Sequence, residues 1–375
     1  MGKKHQQPAV KSSRKPQRKK RASTRASRRV RLGFIGAGWW STTYYLPLLR
    51  ARPDVELVSI CGLDPVVLQR CQRDFGFVHT TCDYHELLQQ NLDGVVIGSP
   101  HALHAEHALA ALAAGCHVMV EKPLTTEAAA ARQIVAEAKR KKRHVLIPCG
   151  WQYRPIGIEA KRLMEQGVIG EVESVVCHMA SPLKDLFSGK KFTGDSTAYV
   201  SPNSATWADP RLAGGGYGYG QLPHAIGLML WLTGLRPQNV FARMNQLKSQ
   251  VDLYDAISIG YRGGAIGTIS GAATLPPGTP GSFQLDLRIF GRKGFLHLDV
   301  SRDHLSWHSH RGQHQIIPLE AGAGAYQCDR PPNEFVDLIL DLTKENHSPG
   351  EVARDAVEVL DAAYRSARSG RDEAV

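Results

Sequence analysis

A short glycine-rich segment near the start of the chain has the spacing of a dinucleotide-binding turn. It reads G-A-G-W-W-S from Gly36 to Ser41, directly after the apolar run VRLGFI. The first glycine permits a tight turn after a strand, and the second lets the backbone approach a pyrophosphate at the positive end of the following helix. We therefore predict that Gly36, Gly38, Trp39, Trp40 and Ser41 bind a dinucleotide. A glycine turn without a ligand is the alternative.

The residue at the end of the second strand bears on which nicotinamide cofactor binds. An acidic side chain there holds the ribose hydroxyls of NAD, whereas an arginine favours the extra phosphate of NADP. The second apolar run, Val55–Cys61, is followed by Gly62, Leu63 and Asp64. Because a carboxylate repels phosphate, Asp64 favours NAD slightly. Its offset from the strand end leaves NADP as an open alternative.

A lysine follows another buried strand. Residues 116–120 (C-H-V-M-V) run directly into Glu121, Lys122 and Pro123. The carboxyl end of a parallel strand points into the crevice in which cofactor and substrate meet. A lysine there can lower the pKa of a substrate hydroxyl and stabilise the negative charge that develops on its oxygen. Lys122 is therefore a candidate catalytic residue, and we expect Glu121 and Lys122 to lie beside the cofactor.

These motifs need a framework of alternating strands and helices, which the sequence indicates between residues 30 and 150. Short apolar runs alternate there with helical stretches, a pattern typical of right-handed βαβ units in a doubly wound parallel sheet, that is, a Rossmann domain. Residues 151–375 contain successive strand-like stretches and one clear interior helix before two closing helices. This pattern predicts a second α+β domain with an open, mostly antiparallel sheet, which would hold the substrate and mediate oligomerisation.

The combination of motifs resembles the Gfo/Idh/MocA family of oxidoreductases. The residues that carry the resemblance are GAGWW, Ser99-Pro100 with His104, AALAAGCHVMVEKPL, the segment 151–154 and the glycine cluster before His224. The resemblance extends over about residues 30–370, and its most specific part is the EKP segment. It implies an N-terminal Rossmann domain, a C-terminal open-sheet domain and NAD(P)-dependent oxidation or reduction of sugars, cyclitols and related polyols.

The resemblance also implies roles for single residues. Lys122 corresponds to the family's lysine that touches both the nicotinamide end of the cofactor and the substrate hydroxyl. His224 corresponds to the family's catalytic histidine. Ser99, Pro100 and His104 are expected to line the cofactor pocket.

The chain departs from the family pattern just before His224. Gly220 stands where the family has an aspartate, and Leu222 replaces a glycine. The aspartate would share acid–base work with the histidine or set its pKa. Tyr219 and Gln221 could take over polar contacts to substrate, although neither supplies a charge at neutral pH.

These observations predict an oxidoreductase that moves a hydride between a nicotinamide cofactor and a secondary alcohol or ketone of a sugar, sugar acid or cyclitol. His224 would be the base that takes the hydroxyl proton. Tyr153 and Arg154, just past the last strand of the first domain, would line the shared crevice and bind substrate. Two alternatives stay open: an enzyme that keeps its nucleotide bound and performs net isomerisation or elimination, and a non-catalytic NAD(P)-binding sensor.

The net charge of +11 is concentrated at the start of the chain. Twelve of the 46 Lys and Arg residues lie within residues 1–29, which contain no Asp or Glu. The remaining 34 basic residues are balanced by 35 acidic ones. We interpret residues 1–29 as a disordered basic tail, because they have almost no apolar side chains to bury. Because the rest of the chain is close to neutral, we do not expect a nucleic-acid partner.

Composition also limits the other classes of site and partner. The seven cysteines form no C-x-x-C pair, and several lie in apolar runs, which is typical of free thiols in a reducing, cytoplasmic compartment. His101, His104 and His107 are too widely fanned on a helix to predict a metal site. No apolar run is long enough to span a membrane. We expect a homodimer or homotetramer that pairs through the C-terminal sheet.

Overall fold

The computed structural model describes residues 1–3, 28–276, 279 and 283–375. Most of the predicted basic tail, residues 1–29, therefore lies outside the described residues. Its last two residues lie within them: the Arg28 guanidinium donates to the Asp93 carboxylate, and Arg29 Nη2 donates to the Val55 carbonyl oxygen at 2.8 Å. Arg28 and Arg29 thus contact the first domain.

We expect deletion of residues 4–27 to leave the melting temperature of the protein unchanged, because this segment is almost free of apolar side chains that could pack. Arg29→Ala is the matched comparison, because it removes a hydrogen bond to the first domain. The melting temperature of the Arg29→Ala variant should fall slightly. Differential scanning calorimetry measures both, and a drop of several degrees on deletion would show that the tail docks on the body.

The first domain contains a parallel sheet with helices on both faces. Its strands are β1 (Val30–Ile35), β2 (Val55–Cys61), β3 (His79–Thr81), β4 (Gly94–Ile97), β5 (His117–Val120) and β6 (Val145–Leu146). Its helices are α1 (Leu46–Ala51), α2 (Pro65–Phe75), α3 (Tyr84–Leu88), α4 (His104–Ala113) and α5 (Ala128–Lys141). The strand order is β3-β2-β1-β4-β5-β6, and all pairs are parallel. This confirms the predicted Rossmann sheet, whose central strands are buried because helices cover both faces.

The second domain contains a larger sheet with helices on one face. Its strands are β7 (Val172–Ala180), β8 (Pro237–Asn245), β9 (Tyr254–Tyr261), β10 (Ile266–Ala272), β11 (Gln284–Gly291), β12 (Gly294–Asp299), β13 (His304–Ser309), β14 (His314–Ile316) and β15 (Glu373–Ala374). Its helices are α6 (Pro155–Glu165), α7 (Lys184–Phe187), α8 (Ser204–Ala208), α9 (Pro210–Ala213), α10 (Tyr217–Gly220) and α11 (Leu222–Thr233), and the chain closes with α12 (Arg330–Ile339) and α13 (Gly350–Ser369).

The strands of the second sheet are ordered β14-β13-β12-β11-β7-β10-β9-β8-β15. Only β7 and β10 pair in parallel among the described strands, so the sheet is mixed and mostly antiparallel, as predicted. Strands β13 and β14 lie in a histidine-rich stretch of the chain. In the described part of the chain, no helix is long and apolar enough to cross a membrane.

Helix α12 packs against the first domain, although the sequence placed it with the second. Phe335, Val336, Leu338 and Ile339 belong to the apolar core that also contains β1 and β2. Gly94 at the start of β4 makes room for them, since a Cβ there would lie 2.8 Å from Ile339 Cδ1. The second part of the chain therefore returns to brace the nucleotide-binding sheet.

Candidate active site

A crevice between the two sheets holds most of the residues that the motifs indicated. Its volume is about 250 Å³. From the first domain it is lined by Gly38, Trp39, Trp40, Gly98, Ser99, Pro100, His101, Glu121 and Lys122. From the second part of the chain it is lined by Trp151, Leu183, Leu186, Pro202, Asn203, Thr206, Trp207, Leu212, Ala213, Gln221, His224, Phe283 and Tyr326.

The glycine turn at the end of β1 has the geometry that its sequence predicts. Gly36 has a φ of 109°, and a Cβ there would lie 2.5 Å from the carbonyl carbon and oxygen of Gly98. Only glycine avoids both the strain and the collision. Ser41, at the third position of the motif, is buried against Gly98, where a Cβ would collide with its hydroxyl. The serine therefore takes the packing role of the missing glycine.

The turn leaves a cradle that fits the pyrophosphate of a dinucleotide. A Cβ on Gly38 would have only one neighbour within 4 Å, the Gly98 carbonyl oxygen at 3.8 Å. Gly38, Trp39 and Trp40 face the crevice where the chain enters a π-helical turn, Ser41–Tyr45, and then α1. The first backbone amides of such a helix are free to bind an anion. The residues present therefore fit NAD.

A segment of the second domain lies against this turn. Asp195 accepts hydrogen bonds from Trp39 Nε1 at 2.7 Å and from the Tyr44 hydroxyl at 2.8 Å, and the ring of Phe192 packs on Trp39. Burial and its bond to Asp195 raise the pKa of Tyr44 well above its usual range. Trp39 of the GAGWW motif and Tyr44 are thus held partly by the second domain, which the motif alone did not indicate.

Asp64, predicted to hold the ribose, has a local structural role. Its carboxylate caps α2 by accepting from the amides of Val66 at 2.9 Å and Val67 at 3.3 Å. The side chain is exposed and does not line the crevice. Aspartate is a favourable capping residue at the start of a helix, so an acidic residue at this position is also explained by capping of α2.

Lys122 projects into the crevice from the turn after β5. It is buried, and its ammonium donates a 2.6 Å hydrogen bond to the carbonyl oxygen of Gly220. It also lies 5.7 Å from the centre of the Trp207 ring. Burial lowers the pKa of Lys122 from its usual value, against the opposing effect of the neighbouring Glu121 carboxylate. Glu121 in turn accepts a hydrogen bond from the Tyr45 hydroxyl.

His224 lies near the start of α11 with its ring in the same crevice. The ring packs edge-to-face on Trp151 and Tyr326, at centroid distances of 5.7 and 5.2 Å. Its Nδ1 atom is buried and has no hydrogen-bond partner among the described residues. Burial, and then the nearby Lys122 charge, lowers the pKa of His224 well below 6.5. The side chain is therefore neutral, and the residue lines the crevice together with Lys122.

The position of the missing aspartate is filled by an aromatic ring. A Cβ on Gly220 would lie 2.5 Å from Phe187 Cζ and 2.6 Å from Phe187 Cε1. Phe187 is fully buried and packs edge-to-face against Trp207. The departure from the family pattern is therefore accommodated by packing, and the Gly220 backbone still contributes the oxygen that binds Lys122.

The glycine-rich segment before His224 is anchored by a buried carboxylate that the sequence did not indicate. Asp252 accepts from the backbone amides of Gly216 at 2.8 Å and Gly218 at 2.7 Å, and from the Tyr364 hydroxyl at 2.7 Å. A Cβ on Gly216 would collide with the Asp252 backbone. These contacts fix the segment that presents the Gly220 carbonyl to Lys122.

One of the predicted cofactor contacts, His104, lies elsewhere than expected. Ser99 and Pro100 line the crevice, whereas His104 is fully buried behind them. Its Nδ1 lies 2.7 Å from the Pro123 carbonyl oxygen and its Nε2 lies 2.8 Å from the Ser99 carbonyl oxygen. His104 thus links the segment that contains Lys122 and Pro123 to the segment that contains Ser99. Burial lowers the pKa of His104 to about 4. His101 lines the crevice in its place, with Nδ1 2.9 Å from the Ala213 carbonyl oxygen.

Three predicted substrate contacts point elsewhere. The hydroxyl of Tyr153 donates to Glu334 at 2.9 Å, and that of Tyr219 donates to the Thr126 carbonyl at 2.7 Å. The Arg154 guanidinium donates to the Gly322 carbonyl at 2.8 Å and to Gln327. None of the three lines the crevice, so the geometry does not support a contact between them and substrate. Gln221 does line it.

Among the described residues, no group of three or more His, Cys, Asp or Glu side chains could hold a metal ion. The cysteines are free thiols, five of them buried.

Comparison with known proteins assigns the fold and the nucleotide site to a class. The model of an oxidoreductase family with an NAD-binding Rossmann fold matches residues 30–148, and that of the GFO/IDH/MocA C-terminal domain matches residues 158–297. The molecule is thus an oxidoreductase-type protein with an NAD-binding Rossmann domain. It belongs to the Gfo/Idh/MocA family.

Similar individual proteins include oxidoreductases of known and unknown substrate. The uncharacterized oxidoreductase YdgJ of Escherichia coli (strain K12) is 28% identical over 61% of this chain and 61% of its own length. D-glucoside 3-dehydrogenase of the same strain is 31% identical over 40% of this chain and 43% of its own length. The crystal structure of GenD2 from gentamicin A biosynthesis, in complex with NAD, is 25% identical, has a TM-score of 0.73 and covers 93% of this chain and 97% of its own. The chain spans less than two thirds of these two curated relatives.

Proposed function

We propose that the protein transfers a hydride between NAD and a secondary alcohol or ketone of a sugar-like substrate. One observation carries the proposal: Lys122 and His224, from different domains, line one crevice with the glycine turn that fits NAD. Support also comes from the family and from relatives that act on sugars and polyols.

Bound NAD would supply the hydride acceptor for oxidation. Residues of the chain would accept the hydroxyl proton and stabilise the negative charge on the substrate oxygen. The Lys122 ammonium, oriented by the Gly220 carbonyl, would donate to the substrate oxygen and stabilise the negative charge that grows there. The neutral His224 ring would take the hydroxyl proton as the hydride leaves the adjacent carbon. For reduction of a ketone, the protonated ring would return this proton.

The crevice wall contributes by excluding water. Trp151 and Tyr326 enclose the His224 ring, and Trp207 lies over the Lys122 ammonium. Removing water strengthens the interaction between Lys122 and a developing oxyanion, because the local dielectric constant falls. The same burial keeps His224 neutral at physiological pH, so the ring is ready to accept a proton.

The test is a panel of sugars, glycosides and polyols scored by the ultraviolet absorbance of reduced nicotinamide. We expect absorbance to rise only when both NAD and an active substrate are added. Purified protein that retains its nucleotide and converts substrate without net reduction would favour an isomerase or eliminase instead. Calorimetric NAD binding with no turnover of any panel member would favour a sensor.

The outer face of the second sheet carries a row of cross-strand neighbours suited to pairing. Ser174 of β7 is paired with Ile266 of β10 on one side and with Phe290 of β11 on the other. Phe290 is paired in turn with Phe295 of β12, and Phe295 is paired with His308 of β13. The rings of Phe290 and Phe295 lie 5.6 Å apart, and Ile266 is 62% exposed. Paired residues share one face of a sheet, so these apolar side chains form one patch.

We propose that this patch mediates a symmetric homodimer or homotetramer, since clustered exposed apolar groups mark interfaces. Phe290→Asp should shift the protein to a monomer in multi-angle light scattering. Leu342→Asp, at a residue 68% exposed outside the sheet, should leave the assembly unchanged. A wild-type protein that is monomeric at micromolar concentration would contradict the proposal.

A further inference from the structure

The part of the crevice contributed by the second domain is mostly apolar. We define the apolar wall as Trp151, Leu183, Leu186, Trp207, Leu212 and Phe283, which all line the crevice. On α7 the polar neighbours Lys184 and Asp185 are exposed, so the helix turns Leu186 inward and its charges outward. A wall of this kind binds C–H surfaces and aromatic groups rather than charged ones.

Charged groups in the crevice are few. Among the described lining residues, only Glu121 and Lys122 belong to types charged at neutral pH, apart from His101 and His224. Burial lowers the pKa of both histidines well below 6.5, so they are neutral. Lys122 donates one hydrogen bond to the Gly220 carbonyl, and in the proposed function it donates another to the substrate oxygen that is oxidised.

Neither arginine nor aspartate lines the described part of the crevice. The residues outside the description between 276 and 283 are proline, glycine and serine, which carry no charge. Carboxylates and phosphates are bound in proteins chiefly by arginine forks and lysine clusters. With the backbone amides of the glycine turn occupied by the NAD pyrophosphate, an anionic substrate would lose its hydration without a cationic partner other than Lys122 among the described lining residues, and it would also face Glu121.

Uncharged polar groups are available for hydroxyls. Asn203, Thr206 and Gln221 line the crevice together with the apolar wall. Amide and hydroxyl side chains of this type can both donate to and accept from sugar hydroxyl groups. The crevice therefore has a polar zone around Lys122 and His224 and an apolar zone formed by the apolar wall.

We infer that the substrate is an uncharged glycoside with an apolar aglycone. Its sugar ring lies at Lys122 and His224 and its aglycone lies on the apolar wall. The inference rests on the proposed function and narrows it, because it excludes sugar acids and nucleotide-linked sugars. Burial of a phenyl aglycone should strengthen binding by about 10-fold or more relative to a methyl group.

The first experiment uses the full chain with saturating NAD and three probes: methyl glucoside, phenyl glucoside and phenyl glucuronide. We expect kcat/KM to be about 10-fold higher for phenyl than for methyl glucoside. We expect it to be at least about 100-fold lower for the glucuronide, whose carboxylate would be buried without a partner. Equal or better turnover of the glucuronide, or no preference for phenyl over methyl, overturns the inference while the proposed function stands.

A binding measurement separates failure of the inference from failure of the proposed function. Fluorescence of Trp151 and Trp207 in the apolar wall can follow probe binding without turnover. Preferential binding of phenyl glucoside without NAD reduction would support the inference about recognition and contradict hydride transfer. Absence of binding by all three probes overturns the inference.

A charge placed in the wall gives an independent test. Leu212 is half-buried, so Leu212→Arg can be accommodated at the edge of the crevice. It should raise the glucuronide-to-glucoside ratio of kcat/KM by at least about 10-fold, since it supplies the missing carboxylate partner. Leu342→Arg adds the same charge outside the crevice and should leave the ratio unchanged. An unchanged ratio in a Leu212→Arg protein that binds NAD normally contradicts the inference.

Discussion

Replacement of Lys122 with alanine is expected to lower kcat by about 100-fold or more, the usual effect of removing one group that stabilises oxyanion charge. The buried ammonium is held by Gly220 at 2.6 Å and is the only lysine or arginine among the described lining residues. NAD affinity should change little, because the pyrophosphate cradle lies at Gly36 and Gly38. Steady-state kinetics and calorimetric NAD titration measure the two effects.

The exposed Lys139→Ala on α5 is the control and should retain wild-type kinetics. The pH profile adds a second readout. Since burial lowers the pKa of Lys122, the activity that depends on its charge should be lost, as pH rises, below the usual lysine value of about 10.4. Retained turnover in Lys122→Ala would remove the residue from the mechanism.

Replacement of His224 with asparagine is expected to lower kcat by about 100-fold or more, the effect of losing a general base. Oxidation needs the neutral ring, so the wild-type rate should fall as pH drops through the pKa of His224. A histidine with no carboxylate beside it has a pKa near the free value of about 6.5 unless burial lowers it, which would place the acid limb near pH 6 to 7. Because burial, and then the Lys122 charge, lower the pKa of His224, the limb should lie at lower pH than that of a free histidine.

In the asparagine variant this limb should be absent. His310 is exposed in the turn that follows β13. His310→Asn is therefore the control and should keep the wild-type dependence of rate on pH. Cofactor binding should survive in both variants. If wild type and His224→Asn share the same acid limb, the base lies elsewhere.

Restoring the family's aspartate at position 220 requires space that the wild-type protein does not have. Gly220→Asp alone would force its Cβ onto the Phe187 ring, so we expect loss of stability. In the double variant Gly220→Asp/Phe187→Ala, the carboxylate should raise the pKa of His224 and move the acid limb to higher pH.

The parts of the site that could be predicted are those fixed by local backbone geometry. Gly36 needs a positive φ wherever a strand turns sharply into a helix, and Lys122 follows a buried strand whose end must face the crevice. His224 could be predicted from the glycine segment before it. These signals are contained in a few consecutive residues, so the sequence was sufficient.

The rest depends on contacts between segments far apart in the chain. Trp207 and Phe187 lie in short helices between residues 181 and 216, where the sequence has no clear periodicity. Tyr153 and Tyr219 looked like crevice residues because of their neighbours. Their hydroxyls are taken up by Glu334 and the Thr126 carbonyl, and the first of these partners is 181 residues away. The sequence could not show that Asp64 caps α2, because capping a helix and binding a ribose call for the same residue type.

The central claim is that Lys122 and His224 promote direct hydride transfer from a substrate carbon to NAD. The most direct measurement incubates the protein with NAD and the best glycoside of the panel, deuterated at its ring carbons, and analyses the nucleotide by mass spectrometry. The account predicts reduced nicotinamide carrying one deuterium from wild-type protein and almost none from Lys122→Ala or His224→Asn. Reduced nicotinamide without deuterium, or unchanged labelling in both variants, would contradict it.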